Sequence, residues 1–251
     1  MKKTTYMMIA LFFLGIVAMF ILVAYSAARY EKEKRIEMDN RPVIGAKAEI
    51  YEPLEGFSCV KFCKGENNCY LDIMGFKGFA ILESDTVSAP EFVAAADWMP
   101  YLRRSVDQGV LSVSIDRDSI VKTLIGDVSK DRYNRVEAVN FIIATIKVPH
   151  GMLKDVRSDM GEITVYLDSV RAGKIRSDIR HRLVLNRSRI DTLESVNKKM
   201  RELTLDGSAI GMLELKDKGT GFTINFTDST STIGSYTFNS EKGKKGMKIS
   251  F

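Results

Sequence analysis

The chain has 251 residues, with 37 Lys and Arg against 32 Asp and Glu, a formal charge of +5 at pH 7. Apolar residues make up 45% of it, enough for one sizeable core after any membrane segment is set aside. Two histidines and three cysteines, spread as they are, argue against a metal centre of ordinary ligand spacing, and no cofactor motif is present.

From Thr4 to Ala28 no side chain is charged, and Tyr6–Tyr25 is almost wholly apolar. About 20 helical residues at about 1.5 Å each span the roughly 30 Å hydrocarbon core of a bilayer, whereas a secretory signal has an apolar region of about 7–15 residues. Residues 1–28 are therefore read as one transmembrane signal-anchor helix. The small residues Ala24, Ser26 and Ala28 leave cleavage open as the alternative. Lys2 and Lys3 precede the segment, and Arg29, Lys32, Lys34 and Arg35 follow it. A plain count of these charges puts the body in the cytoplasm, but long domains translocate largely regardless of them. The expected placement is single-pass in the inner (cytoplasmic) membrane, with the C-terminal domain in the periplasm or outside. Residues 29–49 read as a charged juxtamembrane stalk: Glu31 and Arg35 have a favourable i,i+4 spacing, and Arg41-Pro42 ends the helix.

Strand-like text begins near Tyr51. Phe62-Cys63, the Gly/Asn-rich residues 64–68 and Cys69-Tyr70 read as a β-hairpin. That would set Cys63 opposite Cys69, at a separation a disulfide tolerates. Cys59 and Cys63 on one strand would lie about 13 Å apart at about 3.3 Å per residue, too far to bridge. A Cys63–Cys69 disulfide is the expectation and free buried thiols the alternative. Ala89-Pro90-Glu91 then opens a helix-like stretch through Arg104 that carries the lone Trp98, read as a core or cap residue beside Phe92, Met99 and Tyr101. Val110–Ile115 is a strand, and Lys122–Glu137 a polar loop. Residues 50–139 are thus expected to form a cap region and 140–240 the regular coils of a domain spanning 50–251.

The coils come from a degenerate repeat. Val148, Leu167, Leu185, Leu205 and Phe226 recur at steps of 19, 18, 20 and 21 residues, and a second anchor follows each of the first four after eight: Val156, Ile175, Leu193 and Leu213. In the fifth copy Tyr236 comes ten residues after Phe226, as if Ser231 and Thr232 were inserted. A period near twenty marks a solenoid, in which each unit buries its apolar face only against its neighbours. Alternation such as Phe222-x-Ile224-x-Phe226 is strand periodicity, and Asp206-Gly207 and Lys218-Gly219 supply turns. The fold expected is all-β: a single-stacked right-handed parallel β-helix with an N-terminal β-hairpin/cap region, preceded by the transmembrane helix. Leu167, Leu185 and Leu205 would form an inner ladder, and Ser188, Ser208 and Ser229 a corner ladder. Met200-x-x-Leu203-x-Leu205-x-x-Ser208-x-Ile210 also fits a leucine-rich repeat, but its return segment reads strand, turn, strand.

The hairpin Phe57–Gly75, the strand Gly109–Ile115 and the Leu-x-Leu-Asp-Gly-Ser-x-Ile copy at 203–210 resemble the GIN-type domain, also called the autotransporter adhesin head domain, of Bacteroidetes-type cell-envelope proteins. The resemblance covers roughly residues 50–245. It implies a right-handed parallel β-helix, an adhesin-like role and no enzymatic residues to carry over. The chain departs from that pattern in its basic coils, few corner glycines and membrane helix, which points to a tethered envelope protein.

Between Arg171 and Arg201 ten basic residues face three acidic ones. Because coils stack, part of this charge gathers on one face, with Arg171, Lys174, Arg176, Arg187 and Arg189 as the candidate binding residues. Such a face suits an anionic glycan, lipid head groups or an acidic envelope protein; the plain alternative is a solvated surface that discourages edge pairing. The absence of aromatics among these arginines argues against nucleic acid. There is no Gly-x-Ser-x-Gly elbow, phosphate-cradling loop or paired metal-spaced histidines. Asp155, Asp159 and Glu162 with His150 are the only local candidates for catalysis. The reading is a non-catalytic binding, adhesion or scaffolding module, with a polysaccharide lyase or hydrolase as the alternative.

Overall fold

The structure, a computed structural model, describes residues 3–39, 42–65, 69–126, 134–196, 200–216, 222–239 and 248–250. It divides into a helical unit, Met1–Pro42, and a body, Val43–Phe251. Helix α1 runs unbroken from Lys3 to Asp39, and its Leu14–Lys32 stretch is long and apolar enough to cross a membrane. Phe20, Leu22 and Val23 are exposed on it.

The body is mostly β. Its first half holds β1 (Val43–Ile44), β2 (Glu49–Pro53), β3 (Cys59–Cys63), β4 (Leu71–Met74) and β5 (Gly78–Glu83). Next come β6 (Glu91–Ala95), β7 (Leu102–Asp107), β8 (Val110–Ile115), a helical turn α2 (Arg117–Ile120) and β9 (Asn134–Ala138). The second half supplies β10 (Ile142–Val148), β11 (Asp155–Ser158), β12 (Thr164–Asp168), β13 (Arg171–Asp178), β14 (Arg182–Asn186) and β15 (Arg189–Ser195). It ends with β16 (Glu202–Asp206), β17 (Ala209–Lys216), β18 (Thr223–Phe226), β19 (Thr232–Asn239) and β20 (Lys248–Ser250).

Two large sheets form, ordered β2-β6-β10-β5-β12-β14-β16-β18-β20 and β19-β17-β15-β13-β11-β3-β8-β7, with a small third sheet β1-β9-β4. From β12 onward the chain passes alternately between the large sheets, and each strand pairs in parallel with the strand two places later. Period-two alternation sends every second side chain inward. Ile81, Leu167, Leu185, Leu205 and Phe226 therefore stand in one register, and Ile175, Leu193, Leu213 and Tyr236 in another. The leucines of both ladders are fully buried. Burial of one such side chain stabilises by about 1.5–3 kcal/mol. Phe62 of β3 stacks on Phe79 of β5 with ring centroids 4.6 Å apart, joining the inner faces of the two sheets.

Several expectations need correction. Val148 does not precede Leu167 in the ladder, because β5 lies between β10 and β12 and pairs Ile81 with both Ile146 and Leu167. Val156 likewise stands opposite Ser177 rather than Ile175. The corner ladder is Ser188, Ser208 and Ser231, all buried, whereas Ser229 is exposed; the extra residues of the last copy fall earlier, in the loop between Phe226 and Thr232. The residues from Phe57 to Gly75 are not a hairpin: β3 pairs in parallel with β8 and β11, and β4 with β9. The parallel partners cover Val60 and Phe62 completely, and residues 66–68 of the expected hairpin loop lie outside the described ones.

The helix expected over 91–104 is β6, a tight turn and β7. Phe92, Val93, Ala94 and Ala95 are all buried, and a continuous apolar run suits a strand covered on both faces as well as a helix. Trp98 is fully buried, as expected. The stretch 122–137 contains β9, which pairs with β1 and β4; residues 127–133 lie outside the described ones. Within residues 50–139, β3, β5 and β8 pair in parallel with strands of the two large sheets. The body also begins earlier than residue 50, with Ile44 buried on β1. The segments expected to return between β12, β14, β16 and β18 are the strands β13, β15 and β17, with β19 after β18, where a leucine-rich repeat would need a helical or irregular segment.

Candidate anion-binding grooves

The outer face of β13 and β15 carries the charge. On β13 the three-residue step from Arg171 to Lys174 breaks the alternation of faces, so Arg171, Lys174 and Arg176 are all exposed. On β15, Arg189 is exposed and stands in register with Arg171. Neighbouring parallel strands are about 4.8 Å apart, so these two guanidinium stems rise from adjacent strands.

Two adjoining grooves result. One, of about 590 Å³, is lined by His150, Lys154, Arg171, Lys174, Arg176 and Glu194 together with Gly151, Leu153, Ala172 and Gly173. The other, of about 540 Å³, is lined by Arg171, Arg187, Ser188, Arg189, Gly207 and Ala209. Arg171 belongs to both, so the five predicted residues gather around it.

Their charges are not equally available. Arg187 sits at a left-handed turn position, φ 48°, and its Nη2 donates to both carboxylate oxygens of Asp168 at 2.8 and 2.9 Å. Lys174 pairs with Glu194 at 3.0 Å, and Lys216 contacts the other oxygen of the same carboxylate. Lys216 first, then Lys174, hold the Glu194 carboxyl below the usual carboxylate range, while Glu194 raises the Lys174 ammonium. Among the described residues, Lys154, Arg171, Arg176 and Arg189 form no ion pair with a carboxylate. These four are the cations free to meet an anion.

Glu83, at the end of β5, anchors the floor. Its buried carboxylate accepts the Arg171 amide N–H at 3.0 Å and is hydrogen-bonded through Oε1 to Nδ1 of His150. Nothing in the local sequence pointed to Glu83 here, because only the insertion of β5 between β10 and β12 brings residue 83 beside residue 171. Lys154 was legible only as the neighbour of Asp155, which pairs in register with Arg176.

The residues singled out for catalysis are dispersed. His150 lies in the first basic groove. Asp159 and Glu162 line a different cleft of about 480 Å³ with Lys64, Asp72, Arg117 and Arg180. Asp155 pairs with Arg157 at 2.5 Å and Asp159 with Lys61 at 3.1 Å. Among the described residues no group of His, Cys, Asp and Glu is placed to hold a metal ion. Cys59, Cys63 and Cys69 are free thiols; Cys63 ends β3 of one sheet, and Cys69 precedes β4 of another. The expected Cys63–Cys69 bridge is thus absent from this structure, its hairpin having given way to parallel pairing.

No family model matches the chain, and no curated protein matches it. Among solved structures it is similar to a candidate adhesin from Parabacteroides merdae, at 15% identity over 78% of each chain with a TM-score of 0.31. A candidate adhesin from Bacteroides fragilis shares 10% identity over 82% of this chain and 97% of that one, TM-score 0.32. A candidate lipid-binding protein from Parabacteroides distasonis shares 11% identity over 84% and 99%, TM-score 0.29. Likeness at this level carries no argument about what the grooves bind.

Proposed function

We propose that this chain is a membrane-anchored, non-catalytic envelope protein of the GIN type, whose basic grooves bind an anionic glycan. In this reading the body is a single-stacked right-handed parallel β-helix, tethered by α1 in the inner membrane and lying in the periplasm or outside. The observation that carries it is the set of four cations, Lys154, Arg171, Arg176 and Arg189, that have no ion-pair partner among the described residues and stand around two open grooves. Open, cation-lined grooves on a rigid sheet suit an extended anionic chain. The dispersal of His150, Asp159 and Glu162 supports binding without turnover, since general acid–base chemistry needs its groups within hydrogen-bond reach of one substrate.

The test is to present the full chain, in detergent, with acidic polysaccharides and to follow both retention and cleavage products. Salt-sensitive binding, lost in the Arg171→Glu/Arg189→Glu variant with no new products, supports the reading. Cleavage products would establish the polysaccharide-processing alternative instead. Binding to an acidic protein but to no polysaccharide would move the proposal to an envelope partner. A reporter fused after Phe251 should register outside the cytoplasm; a cytoplasmic signal overturns the envelope placement.

A further inference from the structure

Edge strands of natural sheets carry charges or proline that prevent pairing with another chain. Three of the four edges of the large sheets follow that rule. β2 has Glu49, Glu52 and Pro53, β7 has Arg103, Arg104 and Asp107, and β20 begins with Lys248. The fourth, β19, does not: Thr232-Ile-Gly-Ser-Tyr-Thr-Phe-Asn239 has no charge over eight residues. Its interior neighbours are the charged ones, with Glu214 and Lys216 on β17 and Arg189, Asp191 and Glu194 on β15. Charge is thus placed where pairing is already complete and missing at β19, which has no strand on its outer side among the described residues.

The side chains agree. Tyr236 continues the inner ladder Ile175, Leu193, Leu213. Those three are fully buried, whereas Tyr236 is 57% exposed because its register position is the last of the sheet. On the opposite face of the sheet Met212 of β17, the register partner of Ser235, is exposed.

We propose that β19 is an interface for a second copy of this chain, paired antiparallel about a twofold axis near Ser235 so that the two eight-stranded sheets become continuous. The occupant follows from the composition of the strand. An isologous contact brings each residue against itself or its near neighbour in the partner, so any charge near the axis would meet its like. A strand without charges is what such a contact requires, and the Tyr236 rings of the two copies cover each other's open ladder ends. The proposal is independent of what the basic grooves bind.

The full chain in detergent is measured by sedimentation velocity and light scattering. The native protein is expected to be a dimer. Ser235→Lys and Ser235→Glu, each alone, are expected to be monomeric with unchanged circular dichroism, since Ser235 is exposed. An equimolar mixture of the two variants is expected to associate again, because unlike charges then meet across the axis. A native monomer overturns the proposal. So does a dimer that both single-charge variants retain, which would place the contact elsewhere.

Discussion

Ser208 Oγ accepts the amide N–H of Ser188 at 2.9 Å and donates to the carbonyl of Leu185 at 2.9 Å. Ser231 Oγ in turn accepts the Ser208 amide at 3.0 Å, and Ser188 Oγ accepts that of Val170 at 3.0 Å. One hydroxyl per repeat thus satisfies the backbone where the chain passes between the two sheets, the strand ladder is interrupted and water does not reach. Ser208→Ala should leave a buried donor and acceptor unpaired and cost about 1–3 kcal/mol, measured by denaturant unfolding. The exposed Ser229→Ala should stay within about 0.5 kcal/mol; equal losses at both positions would mean that the corner bonds are not what holds the coils.

Leu185 and Leu205 are register partners, each fully buried. Leu→Ala at either should cost about 2–5 kcal/mol, and the double variant should depart from the sum because the two cavities merge. Arg189→Ala should fall within about 0.5 kcal/mol. Arg187→Ala removes only an exposed pair with Asp168, worth about 0–1 kcal/mol. A tolerant Leu185 beside a sensitive Arg189 would reverse the assignment of inside and outside.

Glycines mark where strands leave no room for a Cβ. One added at Gly211 would lie 2.7 Å from the Asp191 carbonyl oxygen, and one at Gly78 only 1.6 Å from that of Thr164. At Gly173 its nearest neighbour is a side-chain oxygen of Asp191 at 3.9 Å. Gly211→Ala should therefore cost about 1–3 kcal/mol as overpacking does, Gly78→Ala more, and Gly173→Ala least. Thermal unfolding of the three variants checks the order.

Asp228 clamps the last corner, accepting the Gly207 amide at 2.7 Å, the Ser231 amide at 2.9 Å and the Thr230 hydroxyl at 2.7 Å. Hydrogen bonds from Ser231 and Thr230 lead in lowering its pKa from 3.8 to about 2. A folded-state pKa below the unfolded one gives stability that is present above the unfolded value and is lost as pH falls through the folded one. The loss should run from about pH 4 down to about pH 2, and Asp228→Asn should flatten stability against pH over that window.

Burial, and then the carboxylate of Asp118, push the Cys69 thiol up to about 11; burial raises Cys59 as well. Only thiolates react readily with alkylating agents, so half-buried Cys63 should be labelled first at pH 8 and Cys59 and Cys69 slowly. Peptide mapping after timed alkylation reads this. A Cys63 that labels only after reduction would restore the Cys63–Cys69 disulfide.

What the amino-acid sequence determined by itself is the apolar helix and the second half of the body. From Leu167 to Phe226 each strand's partner is the next strand of its kind in the chain, so a fixed step in sequence is also a fixed step in space. Alternation there sorts inside from outside, and Arg171, Lys174, Arg176 and Arg189 fall on one exposed face. Only the tertiary structure decided the first half. β5 inserts between β10 and β12, and β3 between β8 and β11; parallel pairing across such distances is fixed by collective burial, which leaves no local period to read. The same insertion carries Glu83 beneath Arg171, and the open edge at β19 with its exposed Tyr236 exists only because the stack has an end. Periodicity reports how a residue faces its own strand; which strand lies alongside is settled by the packing of the whole body.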